Sequence, residues 1–192
     1  HPPAFEAAAR LLRDKGFDGV DINMGCPEKN VVKAGAGAAL ITDPALARDL
    51  VYAARAGAGK MPVSVKTRIG FRRESVDTWM RQLLELQLPA LTVHLRTQKE
   101  MSRVDAHWEV MSHIVALRDG IPQQTRIVGN GDVTSRAAGA ERVAETGCDG
   151  IMIGRGVFGD PWVFADDGDA PKTAHARLRM MVTHTHTFAR LF

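Results

Sequence analysis

Five short apolar stretches recur along the chain, at residues 17–23, 61–66, 90–94, 126–129 and 150–154, and each is separated from the next by residues with helical periodicity. That alternation is the strongest constraint on the fold. Strands joined by helix-length crossovers pair in parallel, because a tight turn can only reverse the chain. Residues 2–15 set Phe5, Ala8, Ala9 and Leu12 on one helical face, ended by Gly16. Asp43 before Pro44 reads as an N-cap with proline at the first helical position, and Gly57 reads as the end of that helix. Residues 75–88 are amphipathic through Val76, Trp79, Leu83 and Leu84, and residues 104–118 carry Trp108, Met111 and Val115 on one side. Thr134 is positioned to cap a helix that runs to Thr146 and stops at Gly147. The strands read as continuously apolar, the pattern of a sheet covered on both faces. The expected class is α/β with a parallel sheet.

A chain of 192 residues has room for one domain with a sizeable core. Its 45% hydrophobic and 24% charged content is that expected of a soluble globular protein. No apolar run reaches the length of a membrane span. The two cysteines, Cys26 and Cys148, form neither a disulfide framework nor a zinc spacing, which points to a reducing cytoplasm. A net charge of +3 permits an RNA partner without demanding one. Residues 166–170 read as a polar linker, and residues 171–192 as a new helix with Leu178, Met181, Val182, Phe188 and Leu191. His184 and His186 lie two apart, a spacing that does not share a helical face, so no metal site is expected there. The chain opens on His1 and closes in mid-helix at Phe192, as a piece of a longer protein would.

Polar residues collect just after each strand. The first is followed by Asn23, Gly25, Cys26 and Pro27, the second by Lys66, Arg68 and Gly70, and the third by His94 and Arg96. The fourth ends in Gly129, Asn130, Gly131 and Asp132, and the fifth in Gly154, Arg155 and Gly156. Loading one rim of a parallel barrel in this way is what an active site requires. The last two ends have the makings of an anion site, since glycines let backbone amides approach a phosphate and Arg155 adds a charged fork. Taken alone, those glycines are equally the mark of tight turns. A lone cysteine is commonly a small buried hydrophobe, the reading adopted for Cys148. Cys26 stands instead between Gly25 and Pro27 in a loop, and thiols as a class are mostly protonated at neutral pH, so it can donate a proton. Lys66 ends an apolar strand, where an ammonium needs a polar or anionic partner.

The runs Asp21-Ile22-Asn23-Met24-Gly25-Cys26-Pro27, Val65-Lys66-Thr67-Arg68-Ile69-Gly70, Leu91-Thr92-Val93-His94, Gly129-Asn130-Gly131-Asp132 and Met152-Ile153-Gly154-Arg155-Gly156 together resemble the tRNA-dihydrouridine synthases. The resemblance implies an FMN-bearing (β/α)8 TIM barrel followed by a small helical domain that helps hold tRNA. Residues 1–165 would supply barrel strands four to eight, five of the eight, and residues 166–192 the linker and first helix of the helical domain. It implies reduction of a tRNA uridine to 5,6-dihydrouridine, with NADPH as reductant and Cys26 as proton donor. Asn23 and Arg68 would position the base. Lys66, His94, Asn130, Gly131, Asp132, Gly154 and Arg155 would hold the FMN. Arg72, Arg73, Lys99, Arg103, Arg177 and Arg179 are candidate contacts to the tRNA backbone. Two other readings stand beside this one: an FMN barrel reductase of a free pyrimidine, similar to dihydroorotate dehydrogenase, and a non-catalytic RNA-binding remnant.

Overall fold

The computed structural model describes residues 1–122, 125–165 and 173–192. The chain enters through α1 (Pro2–Asp14) and β1 (Val20–Asn23), then α2 (Lys29–Lys33), a 3-10 turn over Gly37–Thr42, and α3 (Pro44–Ala58). It continues through β2 (Val63–Arg68), α4 (Val76–Glu85), β3 (Ala90–His94), a 3-10 turn over Trp108–Val110, and α5 (Met111–Asp119). It closes with β4 (Arg126–Asn130), α6 (Arg136–Thr146), β5 (Gly150–Met152), the short α7 (Gly156–Gly159) and α8 (Ala174–Leu191).

The strands form one parallel sheet in the order β1-β2-β3-β4-β5. Strand order equals chain order, so the sheet is wound in one direction and has no point where the winding reverses, unlike a doubly wound sheet. This is the winding of a (β/α)8 barrel, of which the described residues hold five strands.

The strands are not apolar on both faces, as their sequences implied. Val63, Val65 and Thr67 of β2 are buried, while Ser64 and Lys66 between them are only partly so. Leu91 and Val93 of β3, with Ile127 of β4, continue the buried face beneath the helices. The opposite face carries Asp21, Asn23, Ser64, Lys66, Arg68, Thr92, His94 and Asn130. The runs looked continuous because threonine, serine and valine share a strand's composition, and only the period of two separates the faces. Each fully buried Leu or Ile of the helix-covered face contributes about 1.5–3 kcal/mol relative to exposure.

Several boundaries differ from the sequence reading. β1 begins at Val20, and Phe17 is exposed. β2 runs two residues further, to Arg68, and β5 stops at Met152. Residues 104–107 are not helical, because the Val104 carbonyl and the Ala106 amide are taken by the side chains of Arg96 and Asp132. Asp43 caps α3 through its carboxylate, which accepts from the Leu46 amide at 3.1 Å. Ser135, not Thr134, caps α6, with its hydroxyl accepting from the Ala138 amide at 3.1 Å. The loop after β1 also holds α2 and the 3-10 turn at Gly37, two elements the periodicity did not disclose.

Gly57 lies inside α3 rather than at its end; the helix stops at Ala58, before Gly59 with its φ of 65°. A Cβ on Gly57 would stand 2.0 Å from the carbonyl oxygen of Glu6 in α1. The residue is a glycine because two helix backbones touch there. Arg13 reinforces the contact by donating from Nη1 to the Gly57 carbonyl at 3.0 Å.

Residues 166–170, read as a linker, lie outside the described residues. Beyond them α8 is capped by Thr173, whose hydroxyl accepts from the Ala176 amide at 3.2 Å, and buries none of its side chains. No described helix is long and apolar enough to cross a membrane.

The α1–α3 contact generates a stability prediction. Gly57→Ala should lower the unfolding free energy by about 1–3 kcal/mol, because the collision is with backbone and cannot be relieved by a rotamer. Gly120→Ala, where an added Cβ meets nothing closer than 3.5 Å, should leave it unchanged. Urea denaturation of the two variants measures the difference.

Candidate active site

Parallel pairing sets the inward-facing side chains in rows. One row runs Asn23, Lys66, Thr92, and the next runs Arg68, His94, Asn130, Met152. The second row lies at the C-terminal ends of the strands, where the loops supply Cys26, Arg96, Asp132 and Arg155.

A chain of hydrogen bonds fixes this rim. Asn130 donates from Nδ2 to the Met152 carbonyl at 2.8 Å, so its Oδ1 is the acceptor in the 2.8 Å contact with His94 Nδ1. His94 therefore carries its proton on Nδ1, an assignment made from the network. Its Nε2 is left to accept from Arg96 Nη1 at 3.4 Å. Burial, with Arg68, Lys66 and Arg96 close by, pushes the His94 pKa down to about 4 despite the Asn130 bond, so the ring is neutral at physiological pH. Arg96 is 2% exposed and also donates to the Asp132 carboxylate and, from Nε, to the Val104 carbonyl at 2.6 Å. Asp132 accepts from the Ala106 amide at 2.9 Å and faces Arg155 Nη2 at 3.5 Å. Burial opposes its charge, but these donors hold its carboxyl below the usual carboxylate range.

Beside this network is a cavity of about 410 Å³, lined by His94, Asn130, Asp132, Met152, Gly154 and Arg155, among others. Among the described residues, the amides of Gly131, Asp132, Gly154 and Arg155 donate to no protein acceptor. The glycines here have different causes. Gly131 has a φ of 141°, and a Cβ on it would strike that of Ala106 at 2.6 Å. Gly129 makes room for the Trp108 ring, whose Nε1 donates to the Gly131 carbonyl at 3.0 Å. Gly154 needs neither an unusual φ nor packing room, since an added Cβ would meet nothing within 4 Å. What such a Cβ would occupy is open space beside the cavity. Unpartnered amides, a guanidinium and a glycine kept clear of side chain are the components of an anion cradle.

Lys66 reaches the same inner face. Its ammonium makes no hydrogen bond or ion pair with a described residue, and burial together with Arg68 lowers its pKa, against the pull of Asp21. Cys26 is partly exposed in the loop after β1. Asn23 shapes that loop, its Oδ1 accepting from the amides of Gly25 at 3.0 Å and Cys26 at 3.1 Å. Arg68 is 7% exposed and donates to the carbonyls of Gly25, Thr97 and Met101.

Of the residues singled out from sequence, His94, Asn130, Gly131, Asp132, Gly154 and Arg155 line one cavity, while Asn23 and Lys66 share the next row down and Cys26 lies in the loop that Arg68 and Asn23 hold. Two residues of the network were given no role from sequence. Arg96 stood on the expected rim with His94 but was assigned no task, whereas nothing in the sequence marks Gln98, which donates from Nε2 to the Pro27 carbonyl at 3.1 Å.

Residues 1–190 match the family model described as dihydrouridine synthase (Dus). The chain belongs to the dihydrouridine synthase family. It is 45% identical over 164 residues to a probable tRNA-dihydrouridine synthase of Staphylococcus epidermidis, covering 85% of this chain and 50% of that one. It is likewise 45% identical over 166 residues to the probable tRNA-dihydrouridine synthase 2 of Bacillus subtilis, with 85% and 50% covered. The chain thus spans about half the length of the curated relatives it matches. Among solved structures it is similar to an old yellow enzyme homologue from Zymomonas mobilis, with a TM-score of 0.53 and 20% identity over 82% of this chain and 48% of that one. It is also similar to DHODH from Eimeria tenella, with a TM-score of 0.54 and 15% identity over 80% and 49%. At those identities the likeness is one of fold, and it agrees with a partial TIM barrel.

His94 gives the site a signature in stability. Its folded pKa, about 4, lies below the ordinary 6.5, so between those values the unfolded chain binds a proton that the folded chain does not. The contribution is present above pH 6.5 and is lost as pH falls towards 4. His94→Asn should flatten this part of the pH dependence, read as the difference in urea midpoint between variant and wild type across that window.

Proposed function

We propose that this chain supplies the catalytic rim of a cytoplasmic, flavin-dependent enzyme that reduces a uridine of tRNA to 5,6-dihydrouridine. Residues 1–165 are the barrel part, and residues 166–192 begin the helical unit. The observation that carries this reading is the cavity at the ends of β4 and β5. Its four amides and the Lys66 ammonium have no partner among the described residues; the amides, Arg155 and the open Cβ space at Gly154 fit the phosphate of FMN, and Lys66 fits the electron-rich edge of its ring.

The residues then divide the work. Gly131, Asp132 and Gly154 bind through their backbone amides. The Asp132 carboxylate is engaged with Arg96 and Arg155, so it orients the cradle rather than opposing the anion. Lys66 holds positive charge where negative charge develops. His94, neutral and tied to Asn130, presents a fixed ring surface. Asn23 uses its oxygen on the loop, while its Nδ2 donates to no described protein group and is left for the base. Cys26 donates the proton from Sγ to C5 of the uracil. FMN, when bound, supplies the hydride chemistry that saturates C6, with NADPH as reductant. A uridine within folded tRNA must be flipped out to reach such a rim. Arg72, Arg73, Lys99, Arg103, Arg177 and Arg179 are exposed, none is in an ion pair with a described acid, and they are the proposed backbone contacts.

The test is reduction of unmodified tRNA by the native protein with NADPH, followed by mass spectrometry for the gain of two hydrogens at uridine. Cys26→Ala should retain flavin absorbance and lose about 10²–10⁴-fold in rate. Turnover of free uracil or orotate but not tRNA would overturn the substrate, and tRNA binding by a colourless protein would overturn the reaction.

A further inference from the structure

The loop that carries Cys26 has no free backbone group from Met24 to Pro27. The Met24 amide donates to the Lys66 carbonyl at 2.7 Å, and the Met24 carbonyl accepts from Thr67 Oγ1 at 3.3 Å. The amides of Gly25 and Cys26 go to Asn23 Oδ1, and the Cys26 carbonyl accepts from the Ala38 amide at 3.0 Å. The two carbonyls flanking Cys26 are taken by side chains distant in the chain, one on β2 and one in the turn after β3. Gly25 O accepts from Arg68 Nε at 2.8 Å, and Pro27 O accepts from Gln98 Nε2 at 3.1 Å. Proline has no amide, so the account closes.

Both of those side chains are anchored at the same place, the segment after β3. Arg68 Nη1 donates to the Thr97 carbonyl at 3.1 Å and the Met101 carbonyl at 3.0 Å. The Gln98 amide donates to the Gly70 carbonyl at 2.9 Å. Thr97 and Glu100 close this turn reciprocally: the Thr97 amide donates to Glu100 Oε2 at 2.8 Å, and the Glu100 amide donates to Thr97 Oγ1 at 3.3 Å. Met101 takes a φ of 55°, a costly conformation for a side chain of its kind, and its carbonyl is one of those held by Arg68.

We propose that Arg68 and Gln98 are positioning residues for Cys26, clamping the loop after β1 to the segment after β3 and so fixing where the sulfur stands over the inner face. The proposal rests on the reading of Cys26 as the proton donor. It gives Arg68 a task besides contact with the base: three of its five N–H donors go to carbonyls, and the two on Nη2 have no acceptor among the described residues. Displacement of a reacting group by about 1 Å can cost 10²-fold in rate, so a loop held at each of its polar groups has catalytic value.

Alkylation of Cys26 by iodoacetamide, followed on its peptide by mass spectrometry, reads the order of the loop without substrate. Gln98→Leu keeps the bulk and removes the donor, and Arg68→Lys keeps the charge but only one donor atom, which cannot span both segments. In each, Cys26 should react about 5–10-fold faster, kcat for tRNA reduction should fall about 10-fold, and KM should stay within about twofold, with flavin absorbance unchanged. Gln98 is only partly buried, so its variant keeps the test standing if Arg68→Lys does not fold. A raised KM with an unchanged alkylation rate would overturn the proposal, because the residue would then be touching substrate. Faster alkylation of the buried Cys148 as well would mark general unfolding and count equally against it. Full turnover by Cys26→Ala would sink the donor assignment alone, and a selective rise at Cys26 in Gln98→Leu would still support the clamp.

Discussion

In-register parallel pairing sends alternate side chains of every strand to opposite faces, and in this chain the two faces have opposite chemistry. Val63, Val65, Leu91, Val93 and Ile127 bind the sheet to its helices, while Lys66, Arg68, His94 and Asn130 face the inside. A slip of one residue in β2 would carry Lys66 and Arg68 under the helices and bring Val65 out. The cost of burying two cations without partners makes that slip prohibitive. The constraint that builds the core therefore also composes the rows of the site, and neither can change register without the other.

The rim built on those rows has two kinds of loop. After β1 the backbone is saturated with internal hydrogen bonds, and what it offers outward is a side chain, Cys26. After β4 and β5 the amides of Gly131, Asp132, Gly154 and Arg155 have no acceptor among the described residues, and what the loops offer outward is backbone. A saturated loop holds a group still, whereas an unsaturated one is completed by what it binds. Arg96 ties the segment after β3 to the loop after β4. It ties the Val104 carbonyl, the His94 ring and the Asp132 carboxylate, and Asp132 in turn faces Arg155.

The parts of this arrangement visible in the sequence are those written in local pattern. Strand and helix order followed from periodicity, and the polar residues after each strand were read as a rim, as they are arranged here. The failures share a physical cause, namely partners distant in the chain. Residues 104–107 have the composition of a helix but give up a carbonyl and an amide to Arg96 and Asp132. Gly57 looked like a stop because its reason, the Glu6 carbonyl, is supplied by another helix. Gln98 was invisible because its partner is a backbone carbonyl, which no side-chain motif records. Gly129 and Gly154 look alike in sequence, yet one makes room for Trp108 and the other is empty-sided.

The electrostatics narrow which group on the rim can move a proton in the proposed reduction. His94 is neutral, and both of its ring nitrogens are engaged, one to Asn130 and one to Arg96. It has no proton in a free position and no free lone pair. Lys66 has protons to give, and burial with Arg68 eases their loss. Its partner in this reading is an electron-rich ring, however, and a bound anion would raise its pKa again, since an opposite charge favours the ammonium. Surrendering the proton would leave a neutral amine where the developing negative charge most needs a cation. Arg68, lowered by burial and by Arg96 to about 10, is still charged at neutral pH. That leaves the thiol of Cys26, outside the row of cations on a loop held at every backbone polar group, as the group whose proton is uncommitted.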